Sequence, residues 1–191
     1  MKTYRLSATG RRTTILLLLA AFAIWAFALW SFSSTLNISY NPLEFWSSLM
    51  TSVDEGLAIS RIVPALLMLV LIVATPLLVW NLLEEWAASY TPTPDGLRFL
   101  SLGIEVLYPW QSIRDVRRVD DDSDDPMDEL LLADDQTHQI ANPVLRFLHA
   151  QAYGRTRLPI YAGLQDRHEL LAAIRQHTEL LNEPVQSEED A

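Results

Sequence analysis

Two long apolar runs fill most of the first half of the chain, and short alternating segments fill the second. Residues 14–36 carry no charge, and 18 of the 23 are apolar. As a helix this run spans about 34 Å, enough for a hydrocarbon core of about 30 Å. Residues 59–83 form the second run, interrupted only by Arg61 near its start, where a long side chain reaches the interface at little cost. The pattern predicts two transmembrane helices, with a connector over residues 37–58. A cleaved signal peptide fits the first run poorly, because the run exceeds a signal core and ends without a convincing small-residue cleavage site. Arg11-Arg12 is followed by Thr13-Thr14, where a twin-arginine signal requires strong hydrophobes.

Within the connector, Asn41 is placed to cap a helix that has Pro42 at its first position. Leu43, Trp46, Leu49 and Met50 then share a face. This predicts a short interfacial helix anchored by Trp46. Ser52 and Glu55 have capping-box spacing before the second run. Asn37-Ile38-Ser39 matches a glycosylation sequon, a tripeptide that chance often supplies. Pro64 and Pro76 fall inside the second helix. Pro76 removes one backbone donor and so leaves a carbonyl that Ser, Thr or a neighbouring helix must satisfy. Neither span holds an ionisable residue away from its ends, which disfavours ion or proton transport through this chain alone.

After Trp86 the period changes. Pro92, Pro94 and Asp95-Gly96 end the helical pattern. Strands are predicted at residues 97–102, 104–108, from Ile113 to Val119, at 130–132 and at 158–161. Residues 144–152 read as a helix with Leu145, Leu148 and Ala152 on one face. A last helix opens at an Asp166/Glu169 capping box and carries the stripe Leu170, Leu171, Ile174, Thr178 and Leu181. Residues 183–191 read as an acidic, disordered tail. The fold class expected is a pair of membrane helices plus a small α+β domain over residues 88–182, an antiparallel sandwich or barrel capped by a helix.

Charge sharpens the topology. The net charge of −10 divides into +4 over residues 1–13, −2 over 37–61 and −12 over 84–191. Basic residues stay on the cytoplasmic side, so Arg11 and Arg12 predict a cytoplasmic N-terminus, an external connector and a cytoplasmic C-terminal domain in the cell membrane. Arg11, Arg12 and Arg61, with Trp46, are the expected interface anchors. A domain of −12 repels nucleic acid and anionic headgroups alike, so a nucleic-acid partner is excluded. There is no Cys, which removes disulfides, thiolate catalysis and thiolate-bound metal.

The strand entry Tyr90 to Gly96, of the form Tyr-x-x-x-x-Asp-Gly, precedes the step Pro109-Trp110-Gln111-Ser112-Ile113 and then Val116, with a helix at the end. Two spans followed by this pattern resemble the bacterial pleckstrin-homology-like domain membrane proteins. The resemblance covers roughly residues 88–182 and implies a seven-stranded sandwich capped by one helix, a fold that hosts binding roles of several kinds. The long stretch 136–156 departs from the simplest version of that pattern.

Candidate chemistry is sparse. Asp120, Asp122 and Asp124 fit the first three positions of a calcium loop, but Asp125 stands where Gly is required and Leu131 where the bidentate Glu belongs. A solvated hairpin loop is the simpler reading. The four histidines show no His-x-x-x-His pair and read as surface or interface residues. No Gly-x-Ser-x-Gly elbow, phosphate loop or dinucleotide fingerprint is present, so no catalytic residue, metal or cofactor is assigned. Arg114, Arg117 and Arg118 form the one basic patch of the domain. It is suited to a partner carboxylate or a headgroup, or more simply to ion pairs with the neighbouring Asp run. The sequence therefore points to a non-catalytic, membrane-anchored binding or scaffold protein. Its expected partners are membrane lipids and other membrane-protein subunits, with a role as accessory subunit of a larger complex among the expectations. A lipid- or membrane-stress-sensing module is the alternative, and a small membrane enzyme comes third.

Overall fold

The computed structural model describes residues 2–36, 59–119 and 127–182 and five positions between 41 and 51. Side chains of residues 59–61 and 179–182 lie outside that description. Also outside it are Trp46, the Asn37 sequon, the Ser52/Glu55 pair, the Asp120–Asp125 run and the acidic tail. The chain divides into two compact units: Ile15–Leu82 on the one hand, and Met1–Thr14 with Leu83–Ala191 on the other.

The first unit holds most of two 29-residue helices, α1 (Ala8–Leu36) and α2 (Ile59–Ala87), whose ends at 8–14 and 83–87 belong to the second unit. Both are long and apolar enough to cross a membrane. Helix α1 begins six residues before its apolar run because Ser7 caps it. The Gly10 N–H donates to Ser7 Oγ at 3.0 Å and the Arg11 N–H to the Ser7 carbonyl at 2.9 Å. Large apolar side chains on both helices, among them Leu16, Phe22, Trp30, Leu66, Val70 and Val73, are exposed. Such a surface favours hydrocarbon over water. The helices meet where Leu36 and Ala65 are buried against Phe32. They meet again where the Trp25 Nε1–H donates to the Ile72 carbonyl at 3.1 Å. Between them, Glu44, Ser47, Met50 and Thr51 have helical backbone, and the Glu44 N–H bonds to the Asn41 carbonyl at 3.0 Å.

The second unit holds two antiparallel meanders. Strands β1 (Tyr4–Arg5), β2 (Ser89–Pro92), β3 (Gly96–Ser101) and β4 (Ile104–Pro109) form one sheet in that order, and β5 (Ile113–Val119), β6 (Met127–Leu132) and β7 (Arg157–Ile160) the other. Alternation sets the faces. Leu97 and Phe99 of β3 and Ile104, Val106 and Tyr108 of β4 are buried, while Arg98 and Glu105 between them are exposed and paired. A 3-10 turn at Trp110–Ser112 carries the chain from one sheet to the other. Trp110 fixes that corner: its Nε1–H donates to the Thr93 carbonyl at 2.9 Å and its ring stacks on His177 at 4.2 Å. Tyr90 ties the sheets together, donating its buried hydroxyl to the Pro159 carbonyl at 2.6 Å.

Two helices complete the unit, α3 (Pro143–Tyr153) and α4 (Arg167–Asn182). Helix α3 occupies the stretch expected to hold an extra helix. Asn142 caps it, accepting from the Val144 and Leu145 N–H groups at 2.9 and 3.4 Å, with Pro143 at the first position. Helix α4 buries Leu170, Leu171 and Ile174, as its stripe predicts. Its first turn differs from expectation. Asp166 takes a φ of 54°, and Asp166 and Glu169 both pair with Lys2, at 2.8 and 2.5 Å.

The basic N-terminus, residues 1–13, also takes part in the sheet, a role with no signal in the sequence. Its residues are the edge of the first sheet: Tyr4 pairs with Tyr90 and Arg5 with Ser89. The Gln165 N–H donates to the Arg5 carbonyl and the Ser7 N–H to the Gly163 carbonyl, both at 2.9 Å. Gly10 permits this close approach, since a Cβ there would lie 2.8 Å from the Gly163 oxygen. The strand before α1 and the strand after α2 are therefore hydrogen-bonded neighbours.

Candidate functional site

A chain of buried polar side chains marks where α2 enters the folded unit. Glu84, on the last turns of α2, is fully buried, and His149 of α3 and Tyr108 of β4 are buried beside it. His149 Nδ1 meets Glu84 Oε1, and His149 Nε2 lies 3.3 Å from the Tyr108 hydroxyl. With Glu84 as a carboxylate, which only accepts, Nδ1 carries the donated hydrogen. The far nitrogen then accepts from Tyr108 when the ring is neutral. Ser101 closes the group by donating its hydroxyl to the Glu84 carbonyl at 2.6 Å. That carbonyl lies in the final turn of a helix, where intrahelical donors run out. Burial pushes the Tyr108 phenol well above its ordinary range, and the nearby Glu84 and Asp135 charges add to the effect. The phenol is thus a proton donor at neutral pH. Acid, imidazole and phenol in series resemble a proton relay, but all three are sealed from solvent. Their arrangement acts as a clasp joining α2, the first sheet and α3.

The sequence offered no pairing of Glu84 with His149, and its reading of the histidines as surface or interface groups fails for His149. One signal was present: His149 lies on the inward face of α3, four residues after Leu145 and three before Ala152.

The expected basic patch is present on β5, with partners set by strand register. Arg117 lies opposite Glu129 and Arg118 opposite Asp128. Arg117 Nη2 is 3.1 Å from Glu129 Oε2, and Arg157 Nη1 is 3.6 Å from Glu129 Oε1. Arg118 Nε is 3.8 Å from Asp128 Oδ1, and Arg167 of α4 pairs with Asp128 Oδ2. Asp128 and Glu129 are buried. Burying two carboxylates on a central strand requires such cations. Arg117 and Arg118 thus pair with β6; the Asp run expected to pair with them lies outside the described residues. Arg114 is exposed.

Of the expected interface anchors, Arg11 and Arg12 are exposed on the first turns of α1. Trp46 and the Arg61 side chain are outside the described residues. Among the described residues there is no group of three or more His, Cys, Asp or Glu able to hold a metal ion. A cleft of 490 Å³ opens beside α3, lined by Asp135, His138, Arg146, Phe147, Gln151 and Arg155, among others. Phe147 and Val144 on this helix are 63% and 61% exposed, the largest apolar exposure among the described residues of the folded unit. Comparison with known families, with curated proteins and with solved structures gives no match.

Proposed function

We propose that this chain is a two-pass membrane protein whose folded unit lies on the cytoplasmic face and works as a non-catalytic binding or scaffold module for other membrane-protein subunits. The observation that carries the topology is the pairing of β1 with β2. One strand precedes the first apolar helix and the other follows the second, so the sheet closes only if the chain crosses an even number of times. The arginines at the start of α1 support a cytoplasmic location for that shared side.

The resemblance to pleckstrin-homology-like domains is supported by the seven strands in sheets of four and three and by the C-terminal helix. Two features depart from the simplest pattern. The first strand is donated from before the spans, and α3 is added between β6 and β7. A binding role is supported by the apolar side chains that α3 presents next to the 490 Å³ cleft. It is also supported by the use of the buried acid, imidazole and phenol in joining elements.

Copurification in mild detergent tests this reading. The full-length chain should run in a stoichiometric complex with another membrane protein, and Phe147→Asp should release that protein while the chain stays folded. A wild-type chain that behaves only as a lone monomer contradicts it.

A further inference from the structure

We propose that Arg5 and Arg11 form a site for the phosphate of an anionic phospholipid headgroup, with Trp86 at its rim. Both arginines, with Trp86, Ala87, Ala88 and Ser89, line a cleft of 200 Å³. At about 30 Å³ per water, that space takes several water-sized groups, enough for a phosphodiester. The same two arginines line an adjoining groove of 510 Å³ that reaches Lys2, Thr3 and Gln165. Arg5 comes from β1 and Arg11 from the first turn of α1. The bend between them is held by the Ser7–Gly163 hydrogen bond and the Gly10–Gly163 contact. Two guanidinium groups on a pinned backbone can offer paired donors to phosphate oxygens.

Most cations elsewhere on the folded unit are already paired. Lys2 is taken by Asp166 and Glu169, Arg98 by Glu105, Arg155 by Asp135, and Arg117, Arg118, Arg157 and Arg167 by Asp128 and Glu129. Among the described residues, Arg5, Arg11 and Arg12 form no ion pair with a carboxylate. Asp166, at the far end of the larger groove, is already held by Lys2. An acidic protein thus keeps uncompensated cations where its first apolar run begins and where its second ends. Trp86, 43% exposed on the last turn of α2, is the residue type that settles at headgroup depth. On β5, Arg117 and Arg118 are paired with β6; Arg114, Arg146 and Arg175 also lack a carboxylate partner among the described residues, but none of them lines this cleft, which Arg5 and Arg11 share.

This inference rests on the membrane reading but not on the scaffold role. Its test uses the full-length chain in nanodiscs and native mass spectrometry of the released protein. With equal phosphatidylglycerol and phosphatidylcholine, the wild type should retain phosphatidylglycerol. Arg5→Gln and Arg11→Gln should each weaken retention about tenfold, while Arg155→Gln leaves it unchanged. Arg11 is exposed on a helix, so Arg11→Gln stands as the test even if Arg5→Gln disturbs the sheet. Soluble glycerol phosphate at millimolar concentration should not displace the lipid. Equal retention of both lipids, or unchanged retention in Arg11→Gln, overturns the proposal. Full displacement by glycerol phosphate overturns the lipid as ligand and assigns the cleft to a soluble phosphate ester. A chain that stays soluble without lipid overturns the site and the membrane reading together, whereas a membrane-integrated chain without bound lipid overturns the site alone.

Discussion

The indole of Trp25 donates to the carbonyl of Ile72 at 3.1 Å, and Ile72 is the residue whose helical donor Pro76 removes. In a helix the N–H of residue i bonds to the carbonyl of residue i−4, so proline at 76 orphans the oxygen at 72. Away from water an orphaned carbonyl is costly, and the facing helix supplies the substitute donor. Trp25→Phe should therefore destabilise the helix pair by about 1 kcal/mol. Pro76→Ala returns the backbone donor, so the cost of Trp25→Phe should shrink in that background. A double-mutant cycle of unfolding in mixed micelles measures the difference. Equal costs in both backgrounds would show that the indole does not serve the proline.

Glu84→Ala should destabilise the folded unit by about 2–4 kcal/mol, because it leaves His149 buried opposite nothing. Removing both partners with Glu84→Leu and His149→Leu should cost less than the sum of the two single changes. Thermal unfolding of the detergent-solubilised chain reads this. Additive losses would mean that the two side chains are independent.

Gly10→Ala should cost about 1–3 kcal/mol, since its Cβ would press on the Gly163 carbonyl, a backbone atom with little freedom to move. The loss should appear as faster proteolysis of the N-terminal strand. Gly154→Ala is the informative contrast: a Cβ there meets nothing within 4 Å, and only its φ of 84° opposes the change.

Alkaline pH should unfold the second unit from about pH 10 upward. Burial raises the phenols of Tyr90, Tyr108 and Tyr161 well above their ordinary value and Tyr153 to about 12. A folded-state value above the unfolded one means that the folded form holds the proton longer. That stability is complete below about pH 10 and is lost as pH rises through the folded values. Phenolate absorbance and circular dichroism should change together. Ionisation of these four phenols near pH 10 with the fold intact would contradict the burial of their rings.

Much of the folded unit was legible because its elements announce themselves locally. The alternation through β3 and β4 marks their faces, Asn142-Pro143 opens α3, and Leu170, Leu171 and Ile174 make the stripe of α4. The consequence of Pro76 could also be read in advance, as a carbonyl in need of a donor, although nothing named Trp25. What escaped depends on pairing across long separations. A two-residue strand at Tyr4–Arg5 shows no period of its own, and its role comes from Ser89 and Tyr90, more than eighty residues away. Glu84 and His149 lie 65 residues apart, and each looks ordinary alone. For Arg117 and Arg118, proximity in sequence suggested the Asp run, which lies outside the described residues, and nothing local pointed to Asp128 and Glu129, which the β5–β6 register sets opposite them.

Sidedness is measured most directly by single cysteines, since the chain has none of its own. Thr3→Cys, Thr51→Cys and Arg155→Cys, all at exposed positions, should be probed on intact cells with a membrane-impermeant maleimide. Thr51→Cys should label at once, and Thr3→Cys and Arg155→Cys only after the membrane is opened. Labelling of positions 3 and 155 from opposite sides would break the shared sheet from which the topology is argued.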